Sequence, residues 1–217
     1  MMPAGRAIIL AFSLSGSTAL AQVIAASPSP SAGGNAGRDW SFSASAFTYF
    51  VPDQRDFVQP TFTADRGRLH LQVRYNYENQ ETGSAWIGCN FHFGSKVEFE
   101  LTPALGGVFG ATDGIAPGWS FSLSYWRLEL YSESEYVVDL GNSSDSFFYT
   151  WSELTVSPKE WLRAGLAAQR TRAYQTDVDV QRGLVLGVSF KNLDVASYLF
   201  NLDRDKQTYI FSLSVSF

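Results

Sequence analysis

The sequence contains a single cysteine, Cys89, and only two histidines among its 217 residues. One cysteine excludes an intrachain disulfide, and with it the class of small disulfide-stapled secreted domains. Acidic residues outnumber basic ones, and the formal net charge of -5 argues against nucleic acid as a partner. Beyond the first residues of the chain, no segment holds 18 consecutive apolar residues, so we predict no membrane-spanning helix. Without an intrachain disulfide, the folded chain must be stabilised by noncovalent contacts.

Apolar side chains are nevertheless abundant, at 45% hydrophobic and 15% aromatic residues, which excludes a disordered chain. They recur with a period of two, as in residues 68–78 (RLHLQVRYNYE), which is typical of half-buried strands. The length suggests one domain. We therefore predict an all-β protein of about twelve strands, over residues 40–51, 59–65, 68–78, 85–93, 96–110, 118–131, 134–140, 147–156, 161–172, 181–190, 193–200 and 208–217.

The N-terminal region has the three parts of a secretory signal peptide. Arg6 precedes an apolar run over residues 7–14, and small residues at 19–21 form a cleavage site. We expect Sec-type export with cleavage near Ala21. Residues 22–38 are rich in Pro, Gly and Ser, and we predict that they form a flexible periplasmic linker. The predicted β-barrel would then occupy residues 39–217.

Alternation alone does not decide between a soluble β-protein with its apolar face inside and a membrane barrel with that face toward lipid. Short links alternate with longer polar ones along the chain, and aromatic residues such as Tyr75, Phe93, Trp119 and Tyr209 fall near strand ends. Both features favour a membrane barrel. The last strand alternates apolar residues with serines and ends on Phe, its apolar set being Tyr209, Phe211, Leu213, Val215 and Phe217.

This ending resembles the C-terminal signature of bacterial outer-membrane β-barrel proteins. The resemblance implies a single transmembrane antiparallel up-and-down barrel in the outer membrane, embedded in the lipid bilayer. It also implies that the last strand is recognised by the barrel-assembly machinery and closes on the first strand, with both termini in the periplasm. An even count of twelve strands fits this architecture. Ten remain possible, because the apolar face switches parity near Trp126, which indicates a bulge or a turn.

The polar faces of the strands would line the lumen. A barrel of about twelve strands lies between small filled barrels and large open channels, so the lining decides whether it conducts. Mixed charges predict internal ion pairs, in either a narrow polar pore or a plugged core. The expected lining residues are Arg68, His70, Arg74, His92, Glu98, Glu100, Glu153 and Arg163, with Arg127, Glu129, Glu133 and Glu135 as further candidates.

One register of strand pairing would put His70, His92 and Glu98 in a row on the lumen face. Two imidazoles and a carboxylate are a possible zinc ligand set or acid–base group. A hydrogen-bonded, charge-compensated patch is the better interpretation, so these are weak metal candidates and no cofactor is predicted.

The functional prediction is a narrow porin-like channel for small polar solutes, or a structural barrel. A lipid-modifying barrel enzyme is an alternative, but the sequence has no Gly-x-Ser-x-Gly elbow and both histidines are expected near the inner rim. A soluble periplasmic ligand-binding barrel is the other alternative. Residues 132–135 (SESE) are expected in a solvated turn rather than a Ca²⁺ site, and Cys89 is expected to be inert on the lipid face. The oligomeric state is left open.

Overall fold

In the computed structural model, residues 39–141, 145–173 and 179–217 are described, and the predicted signal peptide and linker lie outside them. Their secondary structure consists of antiparallel strands: β1 (Ser41–Phe50), β2 (Phe57–Arg66), β3 (Leu69–Tyr75), β4 (Thr82–Cys89), β5 (Phe91–Phe93), β6 (Val97–Gly110), β7 (Gly114–Tyr125), β8 (Leu128–Asp139), β9 (Phe147–Lys159), β10 (Leu162–Ala173), β11 (Asp179–Phe190), β12 (Leu193–Phe200) and β13 (Thr208–Ser216). No helix in these ranges is long and apolar enough to cross a membrane.

The strands form one closed barrel. Each pairs with its sequence neighbours, and β1 also pairs with β13. β4 and β5 are two halves of one barrel strand, because both pair with β6 in a single register. The break between them places Cys89 opposite Pro103, which has no N–H to give to the ladder. The predicted barrel of twelve antiparallel strands is confirmed.

The two ends of the barrel differ in their connections. At the end that carries both chain termini, here called the terminal rim, strands are joined by links of two or three residues. At the opposite end, the loop rim, most links have five to seven residues. Phe217 and Phe42 exchange two backbone hydrogen bonds of 2.9 Å at the terminal rim, which ties the last residue to the first strand.

One predicted boundary is wrong. The chain turns at Trp126 and Arg127, where Trp126 takes a positive φ of 56°, so the parity switch marks a two-residue turn between β7 and β8. Residues 132–135 are therefore not a turn but the middle of β8. Glu133 and Glu135 point into the lumen and are buried. An alternating Ser-Glu run is compatible with a strand when its charged face has buried partners.

The outer surface is apolar around the barrel. Alternate side chains of successive strands are large, hydrophobic and exposed, among them Val58, Phe62, Val73, Ile87, Leu105, Ile115, Leu123, Leu154, Leu166, Leu184, Leu186, Val195, Phe211 and Leu213. Stacked rings of Trp40, Phe42 and Phe217, with centroids about 6 Å apart, belong to an aromatic belt at the terminal rim. Soluble proteins do not expose apolar faces of this extent, whereas a barrel in lipid requires one.

Candidate functional site: the barrel lumen

The loop-rim half of the lumen is filled by aromatic side chains, which we call the aromatic layer: Phe47, Tyr49, Tyr149, Trp151, Tyr198 and Phe200. All are at most 2% exposed. Trp151 packs edge-on against Tyr198 and Phe200, with ring centroids 5.4 and 5.3 Å apart. Tyr49 stacks on Phe57 at 4.7 Å. The layer therefore closes this half of the lumen to solutes in the conformation described.

This aromatic layer was not predicted from the sequence. Strands β1, β9 and β12 carry apolar residues on both faces near the loop rim, so the alternation that marks a polar lumen fades there. Tyr77 and Tyr149 illustrate the difference, since they sit near strand ends as an interfacial aromatic would. The structure instead turns both side chains into the lumen, where they are buried. Several strands stop alternating between polar and apolar residues at the same end of the barrel. This shared loss of alternation could have been used to predict that the lumen is filled there.

Below the aromatic layer, an ion-pair cluster crosses the lumen from β3 to β8, which we call the lumen bridge: Arg74, Glu133 and Glu135. The Arg74 guanidinium donates from Nη2 to Glu133 Oε1 at 2.6 Å and from Nη1 to Glu135 Oε2 at 2.9 Å. Its Nε donates to Gln72 at 2.6 Å. The Arg74 side chain is only 6% exposed. A guanidinium with two carboxylate partners satisfies the fixed, forked geometry of its donors.

Aromatic rings surround the bridge. The Arg74 guanidinium lies 4.0 Å from the ring centroid of Tyr77 and 4.5 Å from that of Trp86, both within cation–π range. The hydroxyls of Tyr77 and Tyr131 donate to Glu133 at 2.8 and 3.0 Å. Arg74 and Glu133 therefore each have several polar or aromatic neighbours, which offsets the cost of removing them from water, whereas Glu135 accepts a hydrogen bond from Arg74.

Glu78, in the loop between β3 and β4, adds a further buried carboxylate beside the bridge. It accepts hydrogen bonds from Ser84 Oγ at 2.5 Å and Trp86 Nε1 at 3.1 Å, and Arg74 Nη1 lies 3.8 Å away. Burial raises the pKa of Glu78 above its ordinary value, and the charge of Arg74 and these hydrogen bonds oppose that rise.

The terminal-rim half of the lumen contains a polar cavity of about 80 Å³ beneath the lumen bridge, which we call the lower cavity. Its lining is dominated by charged and hydroxyl or amide side chains, including Ser43, Thr63, Asp65, His70, Gln72, Asn90, His92, Glu100, Thr102, Ser120 and Ser122. Tyr131, Trp86 and the three residues of the bridge form its inner end. The lumen thus has a polar terminal half and a closed aromatic half.

The expected row of His70, His92 and Glu98 does not form. β3 and β4 pair so that His70 lies opposite Gly88 instead of His92, because the chain leaves the sheet at residue 76. His92 lies opposite Glu100 instead of Glu98, after a wide turn in which Gly94 takes a φ of 90°. The described residues bring together no group of three or more metal-ligating side chains.

Each histidine instead has its own carboxylate. His70 Nδ1 lies 2.8 Å from Asp65 Oδ1, and His92 Nδ1 lies 3.1 Å from Glu100 Oε1. Asp65 also accepts from Asn90 Nδ2 at 2.7 Å. Strand pairing explains the first contact, since Asp65 and His70 are direct neighbours across the β2–β3 turn.

The other expected lining residues occupy varied positions. Glu153 accepts from Trp151 Nε1 at 2.8 Å and from the Tyr198 hydroxyl at 3.0 Å. Arg163 forms a bidentate pair with Asp194, a residue that the sequence analysis did not single out. Arg68 and Glu98 are exposed at the terminal rim, and Arg127 lies in an exposed turn. Asp65, Gln72 and Asn90 were likewise missed, although their lumen-facing parity was readable.

Comparison with solved structures gives several matches at low sequence identity. The KdgM porin superposes with a TM-score of 0.56 at 11% identity, covering 81% of this chain and 99% of that one. A structure described as the KdgM porin in complex with disordered oligogalacturonate gives 0.54 at 10% identity, covering 82% and 99%. The outer membrane protein Omp33 of Acinetobacter baumannii gives 0.51 at 12% identity, covering 83% and 100%.

No family model matches the sequence, and neither does any curated protein. The fold is that of an outer-membrane β-barrel. The resemblance that rested on the C-terminal strand is confirmed at this level, because whole small barrels are matched almost from end to end. At 10–12% identity these matches show the fold alone. The chemistry of this lumen has to be inferred from the residues of this chain.

Proposed function

We propose that the protein is a narrow outer-membrane channel for small polar solutes, with a conductance limited by the aromatic layer. The observation that carries this proposal is the lower cavity, a charged, hydroxyl-rich space inside a closed barrel with an apolar exterior. A barrel that served only to hold itself together would gain more from an apolar or fully paired interior. The polar half would admit solutes, and movement of the aromatic layer would let them pass.

We further propose that the terminal rim faces the periplasm and the loop rim the cell exterior. Short turns on one side and longer loops on the other are the usual arrangement in such barrels. A cysteine placed at Asp205 in the loop rim should react with a membrane-impermeant maleimide on intact cells. One placed at Arg127 should react only after the outer membrane is opened. Cys89 points to the lipid side of β4 and would be changed to serine as background.

The test of the channel is single-channel recording in planar bilayers with the refolded barrel. Tyr49→Ala combined with Trp151→Ala removes two fully buried rings of the aromatic layer. We expect small or brief current steps for the natural sequence and steps several-fold larger for the double variant. Leu154→Ala, an outward-facing change on the same strand as Trp151, is the matched control and should leave the steps unchanged.

A structural barrel is the second candidate, and the filled aromatic layer favours it. If heat-modifiable, correctly folded barrel carries no current in either the natural or the double variant, the channel proposal fails and the structural role stands. We infer that the barrel does not catalyse lipid chemistry, because both histidines line the lumen rather than the lipid-facing surface. Turnover of phospholipid or lipopolysaccharide acyl chains by the purified barrel would contradict this.

A further inference from the structure

We propose that the lower cavity binds the cationic group of a small organic solute, an ammonium or a guanidinium. This inference rests on the proposed function, because the cavity would lie on the path that solutes take through the channel. It names the class of solute that the lumen prefers. Three features of the cavity favour such a ligand: its charge, one carboxylate oxygen without a partner, and the hydrogen bonds that hold its carboxylates in place.

The cavity has an excess of negative charge. Four carboxylates line it, from Asp65, Glu100, Glu133 and Glu135, against the single guanidinium of Arg74. That guanidinium is already engaged by Glu133 and Glu135. His70 and His92 each lie beside one of the other two carboxylates. A cavity with more acidic than basic groups and low-dielectric walls concentrates cations. A cationic solute would therefore be favoured over a neutral or anionic one of equal size.

One carboxylate oxygen at the inner end of the cavity lacks a hydrogen-bond donor. Glu135 is 1% exposed, and its Oε2 accepts from Arg74, while its Oε1 has no partner among the described residues. A buried polar atom left without a partner costs free energy, roughly 1–3 kcal/mol in typical proteins. Because Glu135 lies in the lining of the cavity, a ligand N–H group that fills the inner end would supply Oε1 with a donor.

A second carboxylate is held in place near the mouth of the cavity. Thr102 Oγ1 donates to Asn90 Oδ1 at 2.7 Å, Asn90 Nδ2 donates to Asp65 Oδ1 at 2.7 Å, and His70 Nδ1 meets the same oxygen at 2.8 Å. These contacts use one oxygen of Asp65 and orient the group before any ligand arrives. A preorganised acceptor loses little conformational freedom on binding.

The space suits a charged head group rather than a whole solute. About 80 Å³ has room for several water molecules, or for one ammonium or guanidinium with part of its hydration. Tyr131 is among the lining side chains at the inner end, and a cation that packs on such a ring is stabilised by the ring quadrupole. The remainder of the solute would extend toward the terminal rim, past His92 and Glu100.

The experiment is isothermal titration calorimetry on the refolded barrel in detergent at low ionic strength, where charge effects are least screened. The probe is 1,4-diaminobutane. Butane-1,4-diol and succinate are its neutral and anionic counterparts of similar length. The variants are Asp65→Asn and Glu100→Gln, both partly exposed positions where the fold should tolerate an isosteric change. Glu98→Gln, on the same strand but outside the cavity, is the matched control.

We expect saturable binding of the diamine, at least tenfold tighter than that of the diol or succinate. Each cavity variant should weaken it about five- to tenfold, since hydrogen bonds to charged groups are the strong ones. Glu98→Gln should change it less than twofold. Equal binding of diol and diamine, or unchanged affinity in both cavity variants, would overturn the proposal. Heat-modifiability on gels verifies the fold of each variant.

The binding measurement tests the cation site and the conductance measurement tests the channel, so either proposal can be rejected without the other. Diamine binding by a barrel that carries no current would reject the channel and keep the site. Current without diamine binding would reject the site and keep the channel.

Discussion

Removing the guanidinium of Arg74 would leave the lumen bridge as a set of uncompensated buried acids. The side chains of Arg74, Glu133 and Glu135 are 6%, 6% and 1% exposed, so water from the lower cavity has little access to the carboxylates that would lose their partner. Breaking a buried ion pair by deleting one partner typically costs about 3–5 kcal/mol. We expect Arg74→Met to lower the free energy of unfolding by about that amount.

Neutralising the acids should restore much of the loss. In the triple variant Arg74→Met, Glu133→Gln, Glu135→Gln the two acids hydrogen-bonded to Arg74 are neutral, and of the nearby carboxylates only Glu78 stays, held by Ser84 and Trp86. Apolar or neutral replacements of buried ion networks are often nearly neutral in stability. The triple variant should therefore be more stable than Arg74→Met alone, although it has two more substitutions. This reversal separates the electrostatic role of Arg74 from its packing.

The assay is urea-induced unfolding of the barrel in lipid vesicles, followed by tryptophan fluorescence and by mobility on gels. Arg127→Met is the control, because Arg127 donates to a backbone carbonyl in an exposed turn and its loss should cost less than about 1 kcal/mol. If Arg74→Met costs no more than this control, water already reaches the carboxylates. The described bridge would then not be what holds β3 to β8.

Three further predictions concern the walls and the ends of the barrel. Gly106→Val should lower the stability to urea by roughly 1–3 kcal/mol, because a Cβ there would lie 2.5 Å from the ring of Trp86. The neighbouring Gly107→Val has open space and should be neutral in the same titration. Deleting Phe217 should lower the yield of heat-modifiable barrel in outer-membrane fractions, and equal yield would reject its role as an assembly signal. Burial raises the pKa of Glu78, so the folded barrel holds this proton more tightly than the unfolded chain. The free energy of unfolding should therefore fall as the pH rises from the ordinary carboxyl pKa through the raised pKa of Glu78. Glu78→Gln should make this fall smaller in urea titrations at several pH values.

The strand pattern was largely readable from the chain. Period-two alternation located the barrel strands except around the turn between β7 and β8, since a strand with lipid on one side and a lumen on the other must alternate. The pattern failed where both faces are apolar or both polar. Around residues 132–135 the acidic residues suggested solvent, yet they are compensated by Arg74, which lies 59 residues away from Glu133 in sequence.

The lumen itself was predicted only in part. Arg74, His70, His92 and Glu100 were placed on the inner face by parity, but the ion pairs that they form were not predicted. Which residues pair depends on the strand register. The register that follows the β3–β4 loop places His70 opposite Gly88, four residues before the expected His92. Short-range alternation carries no information about how many residues a loop consumes before the next strand begins.

The sequence by itself determined that the chain is built of β-strands, because local alternation marks them, and the resemblance of residues 209–217 to outer-membrane barrels implied the apolar exterior and the closing last strand. Only the tertiary structure decided that aromatic rings fill one half of the lumen and that Arg74 bridges to β8. These contacts join side chains from strands that are distant along the chain, and barrel closure alone brings them within a few ångströms. Whether the lumen is open, closed or selective depends on those contacts.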